Sequence, residues 1–254
     1  MEDGELPRDP LLLLADPLTG GGEWSLLRPL LVAPFTLVEP DIGEGSERAA
    51  RQHAPARPYD LAQTLIGTGE YPAHLLASTF AAGPALHLAV ERPDLLRSLL
   101  LFDPVVVDPT GREGLADVAR RFGPLAERLI ARRWVEAEAE WRSVFALRPR
   151  RSPSPASAEA LIGPGGDRWL AEWKEPGPWA IPAGISEFLP PTLLLDGEGS
   201  PEFVHDAVRA LTNRLPNVRH LRLRGADHLL PRTDPARVAG IVISFCLERN
   251  VPSA

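Results

Sequence analysis

At 254 residues the chain has the length of one α/β domain carrying an insertion. Its 44% hydrophobic and 24% charged residues exclude a disordered or fibrous chain, and a net charge of -7 excludes the basic face that a nucleic-acid partner needs. No apolar run approaches the ~18 residues of a membrane span, the acidic start MEDGELPRDP has no secretory pattern, and Cys246 is the single cysteine, so a cytoplasmic protein with no membrane partner and no internal disulfide is expected.

In chain order, short apolar runs occur at 11–15 (LLLLA), 35–39 (FTLVE), 73–77 (AHLLA), 96–102 (LRSLLLF) and 192–195 (TLLL), and 218–223 (VRHLRL) alternates. Runs of this length ending near Pro, Gly or Asp predict strands of a buried parallel sheet. Between them, 23–31, 60–67, 81–91, 201–215 and 235–249 carry helical spacing, so the fold class is α/β with a mostly parallel, doubly wound sheet. The stretch from 105 to 189 breaks the rhythm. It has helical spacing over 114–145, then Pro- and Gly-rich turns, then a second helix near 156–161. Trp134, Trp141, Trp169, Trp173 and Trp179 all fall within it. Residues 1–104 and 190–254 are therefore read as the core, and 105–189 as a helical cap over the carboxyl edge of the sheet, where ligands of such folds bind. At least one tryptophan is expected to face that pocket, with Trp173 and Trp179 as candidates. The cluster at 147–151 (LRPRR) reads as a solvated loop, and Gly20-Gly21-Gly22, which lacks the Lys-Ser/Thr of a phosphate loop, as a flexible turn beside the pocket.

Several segments carry chemistry. Ala77-Ser78-Thr79-Phe80-Ala81 passes from a predicted strand into a helix. The segment from Glu91-Arg92-Pro93-Asp94 to Phe102-Asp103-Pro104 returns from that helix to a strand. Upstream lies Pro40-Asp41-Ile42-Gly43-Glu44-Gly45-Ser46. Downstream lie Leu195-Asp196-Gly197-Glu198-Gly199-Ser200 and Gly225-Ala226-Asp227-His228. In this order the segments resemble the α/β-hydrolase family. Its nucleophile elbow, G-x-S-x-G, falls at 77–81, its acid loop at 196–200 and its histidine loop at 225–228. The resemblance implies an α/β-hydrolase fold with His228 and Thr79 as candidate catalytic residues, and with Pro17, Leu18, Ser78 and Phe80 around the substrate.

This sequence departs from the pattern at three places. Thr79 replaces serine at a turn that forces φ above zero, where a β-branched residue is strained, and alanines replace the flanking glycines. Ser200 stands at the acid position and cannot stabilise an imidazolium, while Asp103, after the preceding strand, is an alternative acid, with Asp196 and Asp227 as further candidates. At Asp16-Pro17-Leu18, where the family has an oxyanion-hole donor, Pro17 has no N–H to give if it fills that position, whereas Leu18 would keep a donor beside the Phe80 N–H; Asp16 nearby would repel a developing oxyanion. These changes predict that ordinary hydrolysis is lost and that proton transfer at an imidazole replaces it. The altered triad is similar to that of the α/β-hydrolase-fold peptide epimerases of bottromycin-type biosynthesis. That likeness implies proton abstraction at the Cα of an aspartate beside a thiazoline in a modified peptide, with a substrate carboxylate as an alternative base. The other readings are a hydrolase using Thr79, His228 and a carboxylate, or a non-catalytic protein binding a peptide or hydrophobic small molecule. His53, His74, His87, His205 and His220 show no metal-ligand spacing, so neither metal nor cofactor is expected.

Overall fold

The structure is a computed structural model that describes residues 8–39, 58–109, 114–148, 154–174 and 179–247. The motif at 40–46 and Pro149, Arg150 and Arg151 of the basic cluster lie outside these residues. Six strands, β1 (Asp9–Leu14), β2 (Phe35–Val38), β3 (Ala73–Ser78), β4 (Leu96–Phe102), β5 (Thr192–Gly197) and β6 (Val218–Leu223), form one parallel sheet in the order β2-β1-β3-β4-β5-β6. The central strands are apolar on both sides because both faces are covered. Leu12, Leu14, Leu75 and Leu99 pack with α1 (Pro58–Thr68) and α2 (Ala82–Glu91), while Leu11, Leu13, Leu76 and Leu100 face Trp24 and the last helix, Pro235–Leu247. Only the edge strand β6 is largely exposed, which matches its mixed sequence.

From β1 the chain first adds β2 on one side and then β3 on the other, so the direction of winding reverses between β1 and β3. The loops leaving these two strands diverge there and open a crevice at their carboxyl ends. Asp16 follows β1 and Thr79 follows β3.

Between β4 and β5 three helices, α3 (Leu115–Ile130), α4 (Trp134–Val144) and α5 (Pro155–Lys174), pack on one another and on Leu18 and Phe80 through a third apolar cluster. The second helix expected near 156–161 is longer than its spacing suggests, because α5 runs unbroken for 20 residues through Gly163-Pro164-Gly165-Gly166. Close approach explains the glycine at 165. A Cβ built there would sit 2.2 Å from the backbone oxygens of both Pro17 and Leu18. The stretch 23–31 is not one helix. A 3-10 turn over Gly20–Trp24 replaces the expected flexible glycine turn, and a single helical turn, Arg28–Leu31, follows it. That 3-10 turn buries Glu23 and Trp24.

Gly165→Ala is expected to force α5 away from the 17–18 backbone, lowering thermal stability by about 1–3 kcal/mol in calorimetry. Gly67→Ala, where a Cβ meets nothing within 4 Å, is the neutral control.

Candidate active site

Thr79 leaves β3 with φ 50°, in the left-handed region, and is fully buried. For a β-branched residue this conformation costs on the order of 1–3 kcal/mol, so the surroundings must impose it. The 3-10 turn Thr79–Ala81 continues directly into α2, and the Val105 N–H donates to the Thr79 carbonyl at 2.9 Å. The hydroxyl lies 3.4 Å from His228 Nε2. His228 Nδ1 lies 3.0 Å from Asp103 Oδ2, so Nδ1 carries the hydrogen and Nε2 keeps its lone pair toward Thr79.

The acid therefore comes from the end of β4: of the carboxylates left open as alternatives to position 200, Asp103 is the one that backs the imidazole. Asp103 also sits at positive φ, 42°, with its N–H bonded to the Leu195 carbonyl at 2.8 Å. The Ser200 hydroxyl donates to the same Oδ2 at 2.7 Å, and the Gly197 N–H donates to Oδ1 at 3.1 Å. A carboxylate at 200 would repel Asp103, whereas serine supplies it with a donor. Gly197 is required by proximity, since a Cβ there would lie 2.8 Å from the Ala226 carbonyl on the histidine loop.

The third departure is the more consequential. Pro17 offers no donor, but the Leu18 N–H survives and is already taken: it donates to Asp16 Oδ1 at 2.6 Å. The Thr19 N–H approaches the same oxygen at 3.3 Å, and the Phe80 amide lies near enough to pull the Asp16 carboxyl down. One of the two amides that would polarise a substrate carbonyl thus holds a carboxyl of the chain itself, and that carboxyl stands beside the other. Ser78, expected to touch substrate, is fully buried and ties the loops together: its Oγ accepts the Asp16 N–H at 3.1 Å and donates to Glu23 Oε2 at 2.7 Å. Glu23 Oε2 also lies 3.2 Å from the Asp16 N–H.

Burial sets the protonation of this group. It pushes the Asp16 carboxyl above its ordinary value, against the pull of His228 and the three amides. Burial and the adjacent Asp16 raise Glu23 to about 7. Burial alone would depress His228, but the hydrogen bond and charge of Asp103, with Glu23 and Asp16 behind it, leave the imidazole above its usual range. Phe145 covers the ring, stacked at 4.0 Å and 12°. The space left beside His228, lined by Thr19, Glu23 and Trp141 among others, is ≈ 10 Å³, room for about one water.

Trp141 is thus the tryptophan at the histidine. Trp179 instead packs against Phe80 at 4.8 Å, and Trp173 is one ring further away, stacked on Trp169 at 5.3 Å. Both large rings fill the interior of the helical segment. Trp141 was legible only as one of five tryptophans of which at least one should face the pocket, and Glu23 and Phe145 carried no sequence signal for the site, because each enters it from an element whose position only the fold determines.

No known family matches the chain by sequence, and no curated protein matches it either. Solved structures do match. MenH from S. aureus is 15% identical with a TM-score of 0.74, over 98% of this chain and 97% of that one. A membrane phospholipase A, described as a bacterial virulence factor, is 19% identical with a TM-score of 0.74, over 96% of this chain and 80% of that one. An alpha/beta hydrolase from Sphaerobacter thermophilus is 20% identical with a TM-score of 0.64, over 94% and 93%.

The chain has the α/β-hydrolase fold. Within that fold the order of the site residues along the chain is Asp16, Thr79, Asp103 and His228, each just beyond a strand's carboxyl end. No helix among the described residues is long and apolar enough to cross a membrane.

A group whose folded pKa is raised adds stability below its unfolded pKa and loses it as pH climbs through the folded one. For Glu23 the window runs from 4.5 to about 7. Glu23→Gln should therefore flatten the fall in unfolding free energy across that window, by up to about 3 kcal/mol in denaturant titrations from pH 5 to 8. Asp103→Asn removes the main group that raises the imidazole, so the His228 ring resonances should titrate at lower pH in NMR than in the parent protein.

Proposed function

We propose that the chain is a proton-transfer enzyme, an isomerase or epimerase on an α/β-hydrolase scaffold, and not an acyl-transfer hydrolase. One observation carries this reading: the Asp16 carboxyl occupies the Leu18 amide at 2.6 Å and stands in the oxyanion position. A tetrahedral oxyanion cannot share that donor with a carboxylate, and the loss of one such donor alone slows acyl transfer about 10²–10³-fold. Proton abstraction from carbon asks for something different. It needs a base with a free lone pair, a dry site and a group that stabilises the protonated base. His228 Nε2, with Asp103 bonded behind Nδ1, meets each requirement.

In this mechanism Nε2 takes a proton from an acidified carbon, Asp103 stabilises the imidazolium, and a proton from solvent or from a substrate carboxyl is delivered to the opposite face of the flattened carbanion while Nε2 releases the abstracted one to solvent. The substrate must lower the acidity barrier itself, as the Cα of an aspartate beside a thiazoline in a bottromycin-like peptide would. A substrate carboxylate could also assist as a base. No cofactor is required.

A hydrolase is the second reading, favoured by the assembled Thr79–His228–Asp103 chain and by hydrolases among proteins of the same fold. The two separate cleanly. Incubating a thiazoline-containing aspartyl peptide with the protein in deuterated water should add one deuterium at one Cα, and His228→Ala should abolish the gain. A fluorophosphonate should leave Thr79 unlabelled. Rapid labelling at Thr79 without exchange in any such peptide would sink the proton-transfer reading. Asp16→Ala, which frees the Leu18 amide and removes the carboxyl from the oxyanion position, should raise hydrolysis of p-nitrophenyl acetate at least about tenfold over the parent protein.

A further inference from the structure

Any substrate must reach His228 Nε2, yet the space beside that imidazole is ≈ 10 Å³. A much larger cavity, ≈ 480 Å³, lies between α3, the strand end after Asp103 and the helix Glu202–Thr212. Cavities of this size take a ligand of roughly drug size, for which ~300–1,000 Å³ is usual. Its walls are apolar, formed chiefly by Val105, Val107, Phe122, Phe203, Ala207 and Ala210. The charges around it are already engaged. Arg214 donates to both oxygens of Asp108 at 2.6 Å, Arg209 pairs with Asp206, and the Arg121 guanidinium lies 4.4 Å over the Phe203 ring. Such a lining favours an uncharged aliphatic or aromatic group over an anion or a cation.

Two rings separate this cavity from the imidazole. Phe203 meets Phe145 at 5.7 Å, and Phe145 stacks on His228 at 4.0 Å. Phe122, in the same wall, meets Phe80 of the elbow at 5.0 Å. Phe145 caps the carboxyl end of α4, and Ala146 immediately after it holds φ 53° without being glycine.

The geometry assigns this cavity as the binding site for the apolar body of the substrate, with Phe145 as the ring displaced to open a passage from the cavity to His228 Nε2. The assignment rests on the proton-transfer reading only for what happens at Nε2. The substrate class that follows is a compound or peptide with a bulky uncharged hydrophobic group next to its reacting carbon.

The test uses probes that need no known substrate. Diethyl pyrocarbonate acylates an accessible unprotonated imidazole, forming an N–carbonyl bond and releasing ethanol and carbon dioxide, and the site is mapped by mass spectrometry. Phe145→Ala should speed modification of His228 at least tenfold, and Phe145→Leu severalfold should the alanine variant melt early. Adding Ala210→Trp, which plugs the cavity, should return the rate to near the parent value. The neutral dye N-phenyl-1-naphthylamine should bind the parent protein with enhanced fluorescence and lose that signal in Ala210→Trp. An unchanged rate in both Phe145 variants, a double variant as fast as Phe145→Ala, or equal dye binding to Ala210→Trp would each overturn the assignment. Ring acylation reports access and not turnover, so this outcome is independent of the deuterium-exchange result.

Discussion

The site is organised around one buried carboxylate. Asp16 stands at the point where the sheet reverses its winding, in a place water does not reach, and a charge there is strongly unfavourable unless every lone pair finds a donor. The amides of Leu18 and Thr19 donate to its Oδ1, the Phe80 amide adds its pull, and the Asp16 N–H bonded to Ser78 Oγ joins the loop after β1 to the end of β3. Glu23, raised by the same burial and by Asp16 itself, completes the arrangement through Ser78. The consequence is chemical as much as structural, because a donor that would serve a carbonyl oxygen is committed.

Around this centre the structure holds two non-glycine residues in the left-handed region, Thr79 and Asp103. Neither conformation is favourable by itself. Both follow central, fully covered strands, where the ladder and the packing above leave the turn no alternative. The helical segment adds the rest, with Gly165 against the 17–18 backbone, Trp141 beside His228 and Phe145 across its ring. A dry imidazole backed by a carboxylate follows from that packing.

The fold is shared with proteins named as hydrolases, but a scaffold of this kind hosts many chemistries and the site has to be read residue by residue. Here the nucleophile, base and acid positions are filled in workable geometry while the electrophilic half of the machinery is occupied from within. That combination separates proton movement from carbonyl activation and favours the first.

How much of this was legible in the sequence divides along physical lines. Five strands were legible because a sheet covered on both faces requires short continuous apolar runs such as LLLLA and SLLLF, and the exposed edge strand β6 by its alternation; the elbow and histidine loop were legible because turn geometry restricts which residues can follow a strand. Helix extent was less so: the glycines of α5 hid its full length although they serve close packing, a distinction that depends on what lies opposite. Asp103 could only be one candidate acid among several, since its choice over Asp196 and Asp227 depends on which strand end faces His228. That Asp16 stands against the Phe80 amide of the elbow, that burial raises Glu23 to about 7 and that Phe145 covers the imidazole was decided by the tertiary structure alone. These are contacts between residues 7 to 83 positions apart in the chain, and burial, which no local pattern encodes, sets their chemistry.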